Sequence, residues 1–318
     1  MAIKKLYSSD SRRKTISKLN NNFLSIAPDV ILEISDKSPT ENMNNTIWID
    51  TSMDITTKLF NTQTYANDYF ASHPAIDRSA FKYIGDDGKP TLEFKKMIYG
   101  DDYDPDSKYI LQPKNGIMET FCKPIERQNG IKAYNLNDIV FNTKSLNTLY
   151  IAFINAGNLE SVNTSSWDTR NVTSMYTMFG NCYKLQSLDT SKWDTGKVKD
   201  MSFMFSNCYK LRSPDVSKWN VTSVTTMKGM FFNCRSITSL DLSKWDTSKV
   251  VNMADMFNSC NFLKSITGVI DFKSCTNYSN MFFRCNTLTS VKVKNLPTDI
   301  DTFCATAKID KSKVIVVS

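Results

Sequence analysis

The sequence predicts an α+β protein whose C-terminal half is a β/α solenoid of 26-residue coils. Trp167, Trp193, Trp219 and Trp245 stand 26 residues apart, and Cys182, Cys208, Cys234 and Cys260 keep the same step, with Cys285 one residue early. A fixed period of this length marks stacked coils, each too small to bury its apolar face alone. Within one coil the period also changes. Leu240 and Leu242 alternate with polar neighbours, as in a half-buried strand. Met253, Met256, Phe257 and Cys260 fall at i, i+3, i+4 and i+7, the apolar stripe of a short helix.

Each coil is therefore expected to run strand, turn, short helix, return. Asp168, Asp194 and Asp246, with Asn220 in the same phase, supply the turn, because Asx side chains bond nearby backbone amides. The expected core rungs are the four tryptophans, Met178, Met204, Met230 and Met256, Phe179, Phe205, Phe231 and Phe257, and the five cysteines from Cys182 to Cys285. Phe153, Ala156, Leu159 and Val162 lie one period before Phe179, Cys182, Leu185 and Leu188, so a degenerate coil starts near Leu149. Met281, Phe282 and Cys285 continue the stripe at the other end, where Asp271-Phe272 stands in for Trp-Asp. Lys313 to Val317 reads as a final strand, which places the solenoid with its caps at 146–318.

Upstream of it the sequence shows no repeat. Residues 1–27 are expected to form an N-terminal helix, with Ile16, Leu19, Phe23 and Ile26 spaced 3, 4 and 3 before Pro28 ends it. That helix either packs on its own domain or forms an anchor that oligomerises, a trimer being one such form. Residues 28–145 are expected to be a small mixed, mainly β domain. Its expected strands are Thr46–Thr51, Thr91–Tyr99, Tyr109–Gln112 and Ile117–Phe121, with turns at Asp86-Asp87-Gly88-Lys89, Lys114-Asn115-Gly116 and Gln128-Asn129-Gly130. Asn135 to Ser145 reads as a linker.

Composition bounds the function. The chain has 318 residues, 41% of them hydrophobic, a mean hydropathy of −0.34 and a net charge of +7. This charge fits an anionic partner or, more simply, a solvated lysine surface. No apolar run is long enough to span a bilayer. Met1 to Tyr7 runs into Ser8, Ser9, Asp10, Arg12 and Arg13 without the apolar stretch of a secretory signal, so the expectation is either that an export signal has been removed or that display at a cell surface uses another vehicle, such as a virus particle.

Residues that could carry chemistry are sparse. The in-phase cysteines read as buried thiols acting as small hydrophobes, ahead of disulfides. With no Cys-x-x-Cys pair and one histidine, His73, a zinc site is not expected. Asp101, Asp102, Asp104 and Asp106 crowd one loop, but Ser107 and Pro113 occupy the places where a calcium loop needs Gly and Glu. Asp189, Asp215 and Asp241 form an in-phase acidic ladder, and Lys192, Lys218 and Lys244 a basic one three residues on. The two ladders read as a charge-compensated stripe. The sharper alternative is an acidic ridge that meets a cationic or metal-bridged ligand. No catalytic residue, metal or cofactor is expected, and nucleic-acid binding has only the Arg12-Arg13-Lys14 cluster and the net charge to recommend it.

The phrases Ser-Lys-Trp-Asp-Thr-Ser-Lys-Val and Met-Phe-x-x-Cys, recurring over roughly residues 149–290, resemble the BspA-like leucine-rich repeats of bacterial surface proteins, Mycoplasma-type lipoproteins and some phage-encoded proteins. The resemblance implies a leucine-rich-repeat-like solenoid with an adhesive or host-interaction role and no catalytic residues. Residues 16–52, with Lys-Leu-Asn-Asn-Asn-Phe and Ile-Trp-Ile-Asp-Thr, resemble N-terminal segments of phage fibre and baseplate-type proteins. The expectation is thus a non-enzymatic virion protein. Its N-terminal region would hold other virion proteins, and its solenoid would bind a host-surface glycan or protein. The rivals are a bacterial surface adhesin and a cell-wall hydrolase targeted by its repeats.

Overall fold

Stacking small coils requires each one to offer backbone hydrogen bonds to the next, and this requirement shapes the molecule. A computed structural model describes residues 31–35, 46–50, 55–60, 65–105, 108–113, 118 and 121–318. The chain divides into two units, Met1–Ile55 and Thr56–Ser318. In the first, β1 (Ile31–Ser35) pairs in parallel with β2 (Thr46–Asp50), Ile31 opposite Thr46. The helix expected within residues 1–27, with Ile16, Leu19, Phe23 and Ile26, lies outside the described residues, as does most of the strand expected at Ile117–Phe121.

The second unit opens within β3 (Ile55–Phe60), which pairs with β4 (Lys108–Pro113), and continues with helices α1 (Tyr65–Ser72) and α2 (Leu92–Tyr99). The segment 91–99 is a helix where a strand was expected. Thr91 caps it, its hydroxyl accepting from Phe94 N at 3.1 Å, and Gly100 ends it at φ 109°. Phe94, Met97 and Ile98 are buried at helical spacing, and the run between them favours helix. Phe94, Tyr65, Phe121 and Phe153 then lead from this cap into the solenoid, ring to ring, at 5.5–6.4 Å. A short helix, α3 (Lys123–Glu126), follows Phe121.

Residues 135–145 are a coil, not a linker. β5 (Tyr134–Leu136) pairs in parallel with β6 (Leu159–Val162), and Leu136, Ile139 and Phe141 are buried. Phe141 sits one period before Trp167 and packs on it at 6.2 Å, taking the tryptophan rung. From here the chain winds as a β-solenoid of about eight turns. Its strands are short: β7 (Ser239–Asp241) pairs in parallel with β8 (Ser265–Thr267). Single parallel bridges join Ser174, Asp200, Thr226, Asn252 and Asn277 in succession.

The Met-x-x-Met-Phe-x-x-Cys segments are not helical, which corrects the β/α reading. Met178, Gly180 and Cys182 donate three residues back, to Met175, Thr177 and Phe179, so the segment is a run of overlapping β-turns. The amides between them, Met175, Thr177, Phe179 and Asn181, donate instead to Asp200, Ser202, Met204 and Ser206 of the next coil. A helix would keep all of these bonds to itself and leave the coils unpaired. The turns need a left-handed residue, and Thr177, Asn181, Phe203, Asn207, Gly229 and Asn233 all have φ between 50° and 63°. Met175, Met178, Phe179 and Cys182 still all point inward, so the apolar spacing serves the turns as well as it would a helix.

The core is a set of rails. Phe153, Phe179, Phe205, Phe231, Phe257 and Phe282 stack with centroids 5.2–5.9 Å apart and planes within 16°. The four tryptophans stack at 5.8–6.4 Å. Trp245 Nε1 donates to Val216 O at 2.9 Å, whereas the buried indole N–H groups of Trp167, Trp193 and Trp219 have no acceptor, a cost of about 1–3 kcal/mol each set against the burial of the rings. At the far end β9 (Val269–Asp271), β10 (Val291–Lys294) and β11 (Val314–Val316) form a parallel sheet. Helix α4 (Ile300–Ala307), capped by Asp299, closes the stack: Thr306 O and Ala307 O accept from Asn280 N and Phe282 N.

Truncating a rail should be costly and decorating it should not. Phe205→Ala is expected to lose about 3–5 kcal/mol of stability, and the exposed Lys218→Ala within about 0.5 kcal/mol of none. Urea denaturation followed by circular dichroism measures both, and equal small losses would contradict the rail.

Candidate binding surface of the solenoid

Inward and outward residues alternate along every coil, so the in-phase sequence positions become rows on fixed faces. All four tryptophans, Met178, Met204, Met230, Met256, Phe179, Phe205, Phe231, Phe257 and the five ladder cysteines lie in the core. Asp189, Asp215 and Asp241, and Lys192, Lys218 and Lys244, lie exposed on the outside.

The acidic row is satisfied within its own turns. Asp189 Oδ1 accepts from Ser191 N at 3.1 Å and Ser191 Oγ at 2.6 Å, and Asp215 repeats this with Ser217 at 3.2 and 2.7 Å. Asp241 accepts from Ser243 N at 2.9 Å. These serine bonds, more than the neighbouring lysines, hold the carboxyls of Asp189 and Asp241 below the usual range. Among the described residues no ion pair joins the aspartates to Lys192, Lys218 or Lys244. The lysine ammonium groups are therefore not held by the acidic row. Among the described residues no group of three or more His, Cys, Asp and Glu side chains is placed to hold a metal ion.

A second Asx row, Asp168, Asp194, Asn220 and Asp246, accepts from the amides of Arg170, Gly196, Thr222 and Ser248 at 2.9–3.2 Å. Beneath the two rows run buried threonines. Thr164 and Thr169 donate to Asp189 O at 2.6 Å and Asp194 O at 2.8 Å, tying each turn to its neighbour.

Two further rows escaped the sequence reading. Asn181, Asn207 and Asn233 each donate Nδ2 to the Oδ1 of the preceding asparagine, beginning at Asn155, at 2.7, 2.7 and 2.9 Å. Their signal was the Asn that precedes Cys182, Cys208 and Cys234. Half-exposed aromatic pairs form the other: Tyr150 on Tyr176 at 5.3 Å, and Tyr183 on Tyr209 at 5.1 Å with the Arg235 guanidinium 4.7 Å from the Tyr209 ring.

His73 lies apart from these rows, in the cap. Its ring stacks on Tyr69 at 4.2 Å, Nδ1 is 2.9 Å from Tyr69 O and Nε2 is 3.2 Å from Asp101 Oδ2. The acidic loop thus contributes Asp101 to a histidine contact, and Asp104 N donates to Tyr109 Oη at 2.8 Å.

All eight cysteines are unpaired and buried. Cys182, Cys208, Cys234, Cys260 and Cys285 donate Sγ–H to the carbonyls of Phe153, Phe179, Phe205, Phe231 and Phe257 at 3.0–3.2 Å. Burial pushes the first four thiols well above their ordinary range, and Cys285 up to about 12. The unfolded chain ionises its thiols near pH 8.5 and the folded chain does not, so this contribution to stability is full below that pH and falls as pH rises through it. Denaturation midpoints are expected to drop between about pH 8 and 10, with the ladder thiols inert to a thiol reagent until the chain unfolds. Rapid labelling of native protein would contradict the ladder.

Comparison with known proteins agrees with this architecture. No curated protein matches the chain. A family model described as a Mycoplasma protein of unknown function, DUF285, matches residues 126–215 and again 184–295. The two matches together span 126–295, more than half of the 318-residue chain and most of the coils described above. This is consistent with the BspA-like repeat, and the chain belongs to the DUF285 family of Mycoplasma-type repeat proteins.

Proposed function

We propose that this chain is a non-enzymatic binding protein whose solenoid presents rows of identical groups to a repeating partner on a cell surface, a glycan or a protein. One observation carries the reading: Asp189, Asp215, Asp241 and Lys192, Lys218, Lys244 recur exposed at one position of successive coils, with no ion pair joining the two rows among the described residues. Groups repeated along a rigid rod suit a polymer that offers the same group at intervals, and weak contacts add. The family match supports a repeat protein of this kind.

The finer reading is a virion-associated phage protein, anchored by its N-terminal region and carrying the solenoid toward the host. Its support is the resemblance of residues 16–52 to phage fibre and baseplate-type segments. Many copies on one particle would multiply a weak contact by avidity.

Binding of the fluorescently labelled chain to intact host cells tests the coarser reading. Asp189→Asn alone is expected to weaken binding by about threefold or less, whereas the triple change of Asp189, Asp215 and Asp241 to Asn weakens it at least about tenfold. Undiminished binding by both the acidic triple and a Lys192, Lys218, Lys244→Gln triple would overturn it. Mass spectrometry of purified particles tests the finer reading, which requires the chain at stoichiometric abundance.

A further inference from the structure

The cap that precedes the coils contains a cavity of about 520 Å³ between α1 and α3. Among the described residues its wall carries Arg78, Lys82, Lys123 and Arg127 and no Asp or Glu. Ligand sites run from roughly 300 to 1,000 Å³, so the space suits a small ligand or one segment of a longer one.

The walls are fixed in place. Gln128 clamps the two sides, accepting from Ile84 N at 2.9 Å and donating to Ile84 O at 2.8 Å. Arg78 is oriented by Asn67, whose Oδ1 accepts from Nη2 at 2.9 Å, and its guanidinium lies 5.2 Å from the Phe70 ring. The buried rings of Phe81 and Tyr83 back the cavity.

Among the described residues the charges are not balanced from within. Lys123 opens α3 and Arg127 caps its C-terminus four residues on, which brings two like charges together. Neither has an ion pair or hydrogen-bonded side chain among the described residues. Among the described residues Lys82 pairs only with the exposed Asp86, at 3.7 Å. Asp77, beside Arg78, accepts on Oδ1 from Ser79 N and Ser79 Oγ at 2.8 Å. Four cations around one space, two of them forked guanidiniums, fit a multiply charged oxyanion better than a single carboxylate.

We propose that this cavity binds a phosphate-bearing ligand, with Arg78 and Arg127 as bidentate donors and Lys82 and Lys123 flanking them. The phosphate belongs either to a free phosphorylated molecule or to a phosphodiester polymer of a cell envelope. This site is separate from the solenoid rows and stands whether or not they bind a partner.

Titration calorimetry of the full chain with inorganic pyrophosphate, and separately with a poly(glycerol phosphate) chain, tests it. Saturable binding of either probe is expected, weakened at least about tenfold by Lys123→Gln with Arg127→Gln and unchanged by Lys244→Gln on the solenoid. Pyrophosphate binding as tight as the polymer's supports a free ligand. Tighter polymer binding that falls steeply with salt supports the envelope source. No saturable binding of either probe, or equal losses in the cavity and solenoid variants, would overturn the proposal. Unchanged thermal melting of the cavity variant excludes misfolding as the cause of its loss.

Discussion

Everything in the solenoid depends on one division of backbone hydrogen bonds at the Met-Phe-Cys corner. Alternate amides turn the chain and the ones between them tie it to the next coil. Each coil thereby satisfies its own sharp bend and its neighbour's carbonyls together, which a helix could not do. The step this fixes between coils then brings Phe onto Phe and Trp onto Trp at 5.2–6.4 Å. Ring stacking of this kind adds about 0.5–1.5 kcal/mol per pair beyond burial. It offsets the left-handed residues that the turns demand at Thr177 and Phe203, where no glycine relieves the backbone.

Polar rows follow from the same register. The asparagines ahead of the cysteines occupy left-handed positions that Asn tolerates, and their amides bond along the stack. The thiols behind them donate to the phenylalanine carbonyls of the preceding coil. A cysteine here is a small core residue that also satisfies an acceptor, and its stacking in phase needs no bridge.

The period, the inward rungs and the outward Asp and Lys rows were legible in the sequence because a 26-residue step puts like residues in register whatever the local backbone does. The backbone itself was not. Met, Met, Phe and Cys at helical spacing are equally buried by consecutive turns, and periodicity cannot separate the two. The left-handed Asn181 and Asn207 carried the distinguishing signal. Phe141 hid the first coil because Phe replaces Trp on that rung, and the segment 91–99 read as a strand because its Thr91 cap and Gly100 stop were passed over. The basic cavity was beyond sequence reasoning, since Arg78 and Arg127 lie far apart in the chain and line one space only once it is folded.

Rows of repeated groups thus line the coils, and an open, basic cavity lies before them. Hydrogen-bond scalar couplings measured by NMR test the corner most directly. This division of bonds requires a coupling between Phe205 N and the carbonyl carbon of Met230 in the next coil. A coupling from Phe205 N to Met201, four residues back, would mean a helix and would contradict it.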